Sequence, residues 1–222
     1  IPKPMIKIGG KPILLHIINH YVKYGYKNFY IALGYKKNVV TSFFKKFNQL
    51  DEPFNYNINN KKIKITLSNT GENTLTGGRI KRMKKFINKD EDFMFTYGDG
   101  VSNVNLKRLI SFHKRNKKMI TVTAVRPPAR FGEITLKKNR VSNFKEKPQV
   151  STGWINGGFF IAKYNFFNLI SGDQTILEKE PLESATKKKQ LYAFKHEGFW
   201  KCMDTFRDKN VLEQIFKKNK FN

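Results

Sequence analysis

Residues 93–100 read Phe-Met-Phe-Thr-Tyr-Gly-Asp-Gly, a hydrophobic strand that delivers one acid, Asp99, at its carboxyl end. Glycines on both sides of Asp99 would let a ligand approach the backbone closely. A carboxylate in this position suits Mg²⁺, which prefers oxygen ligands and usually keeps substrate phosphates among them. The alternative interpretation is a simple turn, because Asp-Gly is favoured in turns. The segment alone leaves both interpretations open.

The rest of the chain alternates between apolar and amphipathic segments, which predicts an α/β fold with a mainly parallel mixed sheet flanked by helices. Strands are predicted at residues 28–33, 63–67, 93–96, 119–125, 132–136, 141–145, 154–161 and 191–196. Helices are predicted at residues 13–24, 39–47, 106–117, 164–170, 181–188 and 205–217, and another begins at residues 77–78. The strands at 132–136 and 141–145 predict a small antiparallel hairpin. The sequence shows no internal repeat and no linker, so we expect a single domain over residues 1–222.

The formal net charge of +26 invites a nucleic-acid-binding interpretation, which the distribution of the charge disfavours. Of the 43 basic residues only 8 are arginine, and the lysines are scattered over most segments. Arginine is the residue whose planar fork suits base edges. A positive field would instead attract anionic small molecules such as nucleotides and sugar phosphates. We therefore expect small-molecule partners, and neither nucleic acid nor a membrane.

Cysteine usage and hydropathy bear on the location of the protein. The chain has one cysteine, Cys202, which rules out an internal disulfide and fits a reducing cytoplasm. No apolar run approaches the roughly 20 residues of a membrane span, and no signal peptide is visible. The sequence therefore predicts a cytoplasmic protein.

A second acid, Asp204, lies between the aromatic segment at residues 199–203 and the predicted last helix. Its alternative interpretation is a helix N-cap, a role that suits both Asp204 and Thr205. A cap and a metal ligand are compatible, because each needs an exposed oxygen at the start of a helix. Asp99 and Asp204 are far apart in sequence, so they could share a metal ion only if the fold brings them together.

Three cations stand in contexts that distinguish them from the other basic residues. Lys3 lies between Pro2 and Pro4, which should hold the backbone extended and fix the direction of the side chain. Lys147 ends a strand of the predicted hairpin. Arg79 follows Thr-Gly-Gly at a helix start, where free backbone N–H groups favour an anion. Taken singly, each of the three could also be a solvent-facing charge.

Nine short segments, in order along almost the whole chain, resemble the sugar-1-phosphate nucleotidyltransferase family. They are Pro-Lys-Pro-Met at 2–5, Ile-Gly-Gly-Lys-Pro-Ile at 8–13, Thr-Gly-Gly-Arg at 76–79, Tyr-Gly-Asp-Gly-Val at 97–101, Arg-Phe-Gly at 130–132, Glu-Lys-Pro at 146–148, Ile-Asn-Gly-Gly-Phe-Phe at 155–160, Glu-Pro-Leu at 180–182 and Met-Asp-Thr at 203–205. Within that family, the forms at 76–79 and 97–101 are similar to those of glucose-1-phosphate cytidylyltransferases.

The resemblance implies a Rossmann-like, nucleotide-diphospho-sugar transferase-like fold. It implies the reaction of CTP with glucose 1-phosphate, which gives pyrophosphate and CDP-glucose for polysaccharide biosynthesis. Lys3, Asp99 and Asp204 would be catalytic, and the two aspartates would coordinate Mg²⁺. The resemblance assigns the nucleotide site to Lys3, Gly78, Arg79 and Gly98, and the sugar-phosphate site to Gly132, Glu146, Lys147, Asn156 and Gly157.

This set of residues contains no convincing catalytic base, and the implied reaction does not need one. The nucleophile would be a phosphate oxygen, which is largely ionised at pH 7 because its second pKa is about 6. The obstacle would be the repulsion between two polyanions. Mg²⁺, Lys3 and Lys147 would offset that repulsion while they position an in-line attack on the α-phosphorus.

The residues leave alternatives open. One is a related transferase that uses UTP, dTTP or another sugar phosphate. A second is a non-catalytic nucleotide-sugar-binding domain on the same fold. A third is a nucleic-acid binder, whose association would depend steeply on salt.

The start of the chain departs from the family pattern. Family members open with a strand and a Gly-Gly-x-Gly-Thr-Arg-Leu loop upstream of the position of Lys3, and the sequence starts at Ile1 without them. We therefore expect a truncated sequence, a sheet that lacks a central strand, and little or no transferase activity of the chain as given. A homo-oligomer is compatible with the sequence, and the Asn-rich segment 49–62 is a candidate interface or lid.

Overall fold

The computed structural model of the protein describes residues 1–127, 133–145 and 153–218. Its strands are β1 (Lys7–Ile8), β2 (Lys11–Pro12), β3 (Asn28–Leu33), β4 (Pro53–Ile58), β5 (Lys61–Asn69), β6 (Phe93–Thr96), β7 (Gly100–Ser102), β8 (Ile120–Val125), β9 (Glu133–Lys137), β10 (Arg140–Lys145), β11 (Ile155–Ala162), β12 (Leu191–His196) and β13 (Trp200–Cys202). Its α-helices are α1 (Ile13–Lys23), α2 (Lys37–Phe43), α3 (Thr76–Met83), α4 (Leu106–Asn116), α5 (Glu180–Lys187) and α6 (Phe206–Lys217). Short 3-10 turns occupy Lys3–Met5, Lys84–Phe86 and Tyr164–Leu169. Within these ranges no helix has the length and hydrophobicity to span a membrane.

Two mixed sheets carry most of the fold in the described part of the chain. One has the strand order β12-β8-β11-β6 and the other the order β3-β5-β4. Pairs β3–β5 and β8–β12 are parallel, whereas β4 and β11 run antiparallel to their neighbours. The expected α/β class with a mixed sheet and flanking helices is confirmed. Parallel pairing is less extensive than predicted. Strand β11 runs antiparallel to both of its neighbours, β6 and β8, and β4 runs antiparallel to β5.

The predicted antiparallel hairpin is also present. Strands β9 and β10 pair from Glu133 opposite Lys145 to Lys137 opposite Arg140, with an irregularity between Val141 and Asn143. The turn between the strands places Lys138 at a φ of 54°. The antiparallel pairing predicted for residues 132–136 and 141–145 is therefore observed in β9 and β10.

Helix α1 links the two sheets. Leu14, Leu15 and Ile18 pack into the core beside β5, whereas Ile17 and Tyr21 pack into the core beside β11. These two groups of apolar residues lie on different faces of the helix, so α1 is buried on two sides. Each fully buried aliphatic side chain contributes about 1.5–3 kcal/mol of burial free energy. The helix thereby fixes the position of one sheet against the other.

A large cleft separates β3 from β6. In the described part of the chain each of these strands pairs on one side alone, β3 with β5 and β6 with β11. All residues of both strands line the cleft, whose volume is about 850 Å³. Gly34 and Gly98, which follow the two strands, line it as well. The carboxyl ends of β3 and β6 therefore border the same cleft, which extends along the whole length of both strands.

The Asn-rich segment 49–62 differs from its prediction. It contains β4, which pairs antiparallel with β5 from Pro53 opposite Thr66 to Ile58 opposite Lys61. Phe54 and Tyr56 alternate with asparagines and pack with their rings against buried Phe44. The segment therefore contains an edge strand whose alternate apolar side chains pack on the core, which contradicts its interpretation as a lid. Its interpretation as an interface stays a prediction.

Candidate functional site

A short antiparallel ladder brings the two predicted acids together. Strand β7 pairs with β13, with Gly100 opposite Cys202 and Ser102 opposite Trp200. The ladder continues by one bond, in which the amide of Met203 donates to the carbonyl of Asp99 at 2.9 Å. Asp99 precedes β7 and Asp204 follows β13 by two positions, so the two acids lie at the same end of the ladder. The convergence that a shared metal ion would require is present.

The ammonium of Lys3 lies between the two carboxylates. Its Nζ is 2.8 Å from Asp204 Oδ1 and 3.5 Å from Asp99 Oδ2. The three charged groups therefore form a cluster from distant parts of the chain. We call Lys3, Asp99 and Asp204 the charged cluster below.

Lys3 reaches this position from a 3-10 turn. The amide of Met5 donates to the carbonyl of Pro2 at 2.9 Å, and Pro4 stands in the first turn. The expectation of an extended backbone at Lys3 was wrong, because proline is tolerated in the first turn of a helix, where its missing N–H is not needed. Gly98 allows the turn to come close, since a Cβ at Gly98 would lie 2.7 Å from Cγ of Pro4.

The charged cluster is electrostatically unequal. The hydrogen bond to Asp204 raises the pKa of Lys3, and the same bond lowers the pKa of Asp204. Burial raises the pKa of Asp99; the ammonium of Lys3 opposes this shift and the charge of Asp204 adds to it. Asp99 is the less exposed acid, with 27% of its side chain accessible against 40% for Asp204. A further cation beside Asp99 would therefore stabilise a carboxylate that burial destabilises.

The chemistry of the two carboxylates fits a magnesium ion. Within the residues that the structure describes, no three His, Cys, Asp or Glu side chains form a metal cluster. Two aspartates are nevertheless sufficient for Mg²⁺, which is usually bound by one or two carboxylates together with substrate phosphates. Asp99 and Asp204 would be the protein ligands of such an ion.

Cys202, the last residue of β13, hydrogen-bonds to Asp204 two positions further along the chain. Its Sγ donates to Oδ2 of Asp204 at 3.3 Å. Burial, with the neighbouring Asp204, raises the pKa of the Cys202 thiol to about 11, so the group is a neutral donor at pH 7. The thiol therefore helps to orient the carboxylate that also receives Lys3.

A capping box fixes the backbone just after Asp204. Thr205 is the N-cap of α6: its Oγ1 accepts from the amide of Asp208 at 3.2 Å, and Oδ2 of Asp208 accepts from the amide of Thr205 at 3.0 Å. Oδ2 of Asp208 also accepts from the amide of Asp204 at 3.3 Å, and Lys201 Nζ donates to Oδ1 at 2.6 Å. The cap is thus made by Thr205 and Asp208, and the carboxylate of Asp204 is not used for it.

Asp208→Ala is expected to destabilise the protein by about 1–2 kcal/mol at pH 7, because it removes the cap and the partner of Lys201. Burial alone would raise the pKa of Asp208, but the bonds from Lys201 and Thr205 outweigh it and hold the pKa at about 2. Since the ordinary value is about 3.9, this stabilisation is present above pH ~4 and is lost as the pH falls towards 2. Urea unfolding at pH 7, 4 and 3 measures the difference between variant and wild type.

Asp90→Ala is the matched control, because Asp90 is exposed. Its unfolding free energy should equal that of the wild type. A deficit for Asp208→Ala that did not shrink between pH 4 and pH 3 would contradict the ionic origin of the stabilisation.

Arg79 lies at the mouth of the cleft, where it ties the ends of β3 and β5 together. Its Nη1 donates to the carbonyls of Leu33 at 3.3 Å and Gly71 at 2.8 Å, and to Oγ1 of Thr70 at 2.8 Å. Its Nη2 donates to the carbonyl of Glu72 at 3.1 Å. Burial lowers the pKa of this guanidinium, which these acceptors hold in place. The predicted contact of Arg79 with the nucleotide stays a prediction.

The two glycines before Arg79 have a packing role. The amides of Gly77 and Gly78 both donate to the carbonyl of Thr175, at 2.9 and 3.3 Å. A Cβ on Gly78 would lie 2.4 Å from the carbonyl oxygen of Asp173. The expectation of free N–H groups for an anion at this helix start was wrong for these two amides, because the segment 173–175 packs on them.

Of the five residues predicted for the sugar-phosphate site, the structure describes Asn156 and Gly157. Gly132, Glu146 and Lys147 lie outside the described residues. Asn156 is exposed on β11, where its Nδ2 donates to the hydroxyl of Tyr97 at 3.0 Å. The carbonyl of Gly157 accepts from Trp200 Nε1 at 2.7 Å, so this part of β11 touches the end of β13.

The sequence analysis did not predict Glu178, nor its hydrogen bonds to Tyr97 and Thr76. The carboxylate of Glu178 accepts a short hydrogen bond from the Tyr97 hydroxyl at Oε1 and a 2.9 Å bond from Thr76 Oγ1 at Oε2. Thr76 in turn accepts from the amide of Leu177 at 2.9 Å. No spacing rule marks Glu178, which lies two positions before a matched segment, and only the fold reveals its partners.

A family model described as nucleotidyl transferase matches residues 1–208. The chain belongs to the nucleotidyl transferase family. The resemblance stated from the motifs is therefore confirmed.

Two relatives of this nucleotidyl transferase are similar over nearly their whole length. Glucose-1-phosphate cytidylyltransferase of Salmonella typhimurium is 42% identical over 99% of this chain and 89% of the relative. Probable glucose-1-phosphate cytidylyltransferase of Bacillus subtilis is 39% identical over 96% of this chain and 86% of the relative.

Solved structures of lower identity share the fold of this nucleotidyl transferase. HddC from Yersinia pseudotuberculosis is 23% identical with a TM-score of 0.72, over 97% of this chain and 90% of that one. A UDP-glucose pyrophosphorylase complexed with UDP-glucose is 16% identical with a TM-score of 0.69, over 99% and 91%. At these identities the likeness supports the fold class and nothing further.

Proposed function

We propose that the protein transfers a cytidylyl group from CTP to glucose 1-phosphate and forms CDP-glucose and pyrophosphate with Mg²⁺ as cofactor. The charged cluster carries this proposal, because it places two carboxylates and an ammonium at the end of one ladder. Their neighbours Pro2, Pro4 and Gly98 line the cleft. The similarity to relatives named glucose-1-phosphate cytidylyltransferase supports the choice of CTP and of glucose 1-phosphate. The cytoplasmic location expected from the sequence stays a prediction.

The proposed chemistry is a displacement at the α-phosphorus of CTP. An ionised phosphate oxygen of glucose 1-phosphate forms a bond to that phosphorus, and the bond to the β-phosphate oxygen breaks. Pyrophosphate leaves with the electron pair, and no proton is removed from the nucleophile because its second pKa is about 6. The protein therefore has to bring two anions together rather than supply a base.

The residues of the charged cluster suit that task. Lys3 stays protonated, since the bond to Asp204 raises its pKa, and it can donate to phosphate oxygens. Asp99 and Asp204 would hold Mg²⁺, which when bound offsets the charge of the nucleotide phosphates. Lys147 and Glu146 would receive the sugar phosphate together with Asn156. The nucleotide would then be held by residues from both halves of the chain, and the sugar phosphate by residues of the second half.

A panel of nucleoside triphosphates tests the proposal. The full-length protein, in which every variant is also made, is incubated with each of CTP, UTP, dTTP and GTP, together with glucose 1-phosphate or mannose 1-phosphate and Mg²⁺. The sugar nucleotide is measured by chromatography. We expect CDP-glucose as the main product, with kcat/KM for CTP about 100-fold above that for the other triphosphates, because discrimination between bases by hydrogen bonding reaches a few kcal/mol. Preferential use of another pair would establish a related transferase, and Mg²⁺-independent binding without turnover would establish a non-catalytic domain.

A further inference from the structure

Glu178 is the centre of a hydrogen-bond chain that joins three segments of the site. Thr76 begins α3, Tyr97 immediately precedes Gly98 and Asp99, and Asn156 lies on β11. The Tyr97 hydroxyl donates to Glu178, and Asn156 Nδ2 donates to the same hydroxyl at 3.0 Å. Thr76 Oγ1 donates to the other oxygen of Glu178 at 2.9 Å. The carboxylate thus accepts from both hydroxyl groups of the chain, one at each oxygen.

The direction of these bonds is determined by the chemical groups. A tyrosine hydroxyl carries one proton at pH 7, so Tyr97 has one donor to offer, and it donates this proton to Glu178. Because this proton points to the carboxylate, the hydroxyl oxygen presents a lone pair to Asn156. Asn156 must then turn its NH₂ group towards Tyr97. Its Oδ1 accepts from the amide of Gly158 at 2.8 Å, which agrees with that orientation.

Both carboxylate oxygens of Glu178 accept from hydroxyl groups. Among the described residues it makes no ion pair, although the chain carries 43 Lys and Arg residues. A carboxylate can accept at both oxygens, and an amide at the same position can accept at one only. Substitution by glutamine would place an NH₂ group against one of the two hydroxyls, so that either Thr76 or Tyr97 loses its acceptor. Where Tyr97 loses it, the donors between Glu178, Tyr97 and Asn156 are reversed.

We propose that Glu178 is a positioning residue that acts through Tyr97 to orient the Asn156 amide towards the sugar phosphate. This inference rests on the proposed function, in which Asn156 contacts that substrate. A reversed chain would turn Oδ1 of Asn156 away from the Gly158 amide and change the polarity that Asn156 presents. The effect should fall on the sugar phosphate more than on the nucleotide.

Steady-state kinetics of Glu178→Gln test the inference. The KM for glucose 1-phosphate should rise about 10-fold, while the KM for CTP changes less than 2-fold and kcat less than 3-fold, because one polar group is misoriented. Tyr97→Phe removes the link and should give the same pattern. The double variant should show no more than the larger single effect, since both changes break one chain.

Glu183→Gln is the matched control, because Glu183 is an exposed acid on α5. Its constants should equal those of the wild type. An unchanged KM for glucose 1-phosphate in Glu178→Gln, an equal rise for both substrates, or effects that multiply in the double variant would overturn the inference.

Failure of the proposed function is recognised separately. If the wild type uses another nucleotide or sugar phosphate, the proposed function fails, and the same ratios are measured with the pair that it uses. If the wild type shows no turnover, calorimetric binding of glucose 1-phosphate replaces KM. Binding that is weakened about 10-fold by Glu178→Gln supports the inference, and the absence of any binding to the wild type overturns it.

Discussion

Asp204→Asn is expected to lower kcat/KM for CDP-glucose formation about 10³-fold, the loss that follows removal of one strong electrostatic contact to a reacting phosphate. Asparagine keeps the size of the side chain but not the charge that Mg²⁺ and Lys3 would both use. Asp99→Asn is expected to cause a loss of similar size, because both carboxylates lie within 3.5 Å of the Lys3 ammonium. Initial rates at saturating Mg²⁺ measure both variants.

Asp90→Asn provides the control, since Asp90 is an exposed aspartate outside the charged cluster. Its kcat/KM should equal that of the wild type. Activity of Asp99→Asn or Asp204→Asn within 5-fold of the wild type, with the fold intact by circular dichroism, would contradict the role of the cluster.

Lys3→Met is expected to lower kcat/KM about 10²-fold or more, because methionine keeps the length of the stem and removes the charge offered to the phosphates. The same change leaves Asp99 and Asp204 without the cation between them, so the carboxylates repel each other in the absence of metal. We therefore also expect the metal-free variant to be the less stable protein, and thermal unfolding in EDTA measures this.

Lys7→Met tests whether any exposed lysine near the start of the chain has the same effect. Lys7 is exposed on β1 and should be replaceable with less than a 2-fold change in kcat/KM. Equal losses for Lys3→Met and Lys7→Met would show that overall charge, rather than the position of Lys3, governs the rate.

The strands and helices with strong periodicity were predictable from sequence. Residues 28–33, 93–96 and 191–196 are strands with the predicted bounds, and α1 and α4 end one residue before their predicted ends. These segments have either a continuous apolar run or helical spacing, which determines their conformation locally. The fold class followed from their alternation.

The elements that assemble the site could not be predicted in the same way. Strands β7 and β13 have only three residues each, and neither has a pattern of its own. Their pairing depends on contacts between segments about a hundred residues apart, which local propensity does not contain. The sequence could therefore suggest Asp99 and Asp204 as candidates, but only the ladder brings them to the same end.

The hydrogen-bond partners of Arg79, Gly77 and Gly78 could not be predicted from the sequence either. The contact of Arg79 with the nucleotide stays a prediction, but the backbone carbonyls that its guanidinium meets at the ends of two strands were not predicted. Gly77 and Gly78 were expected to present free amides, and they receive the segment 173–175 instead. Which acceptor satisfies a donor depends on packing, so residue type and spacing alone cannot decide it.

Anomalous scattering from Mn²⁺ in crystals of the protein grown with CTP would locate the metal without reference to activity. Asp99 and Asp204 are predicted to contribute one carboxylate oxygen each to a single Mn²⁺ ion, with nucleotide phosphates as further ligands. An ordered ion that misses either carboxylate would contradict the account.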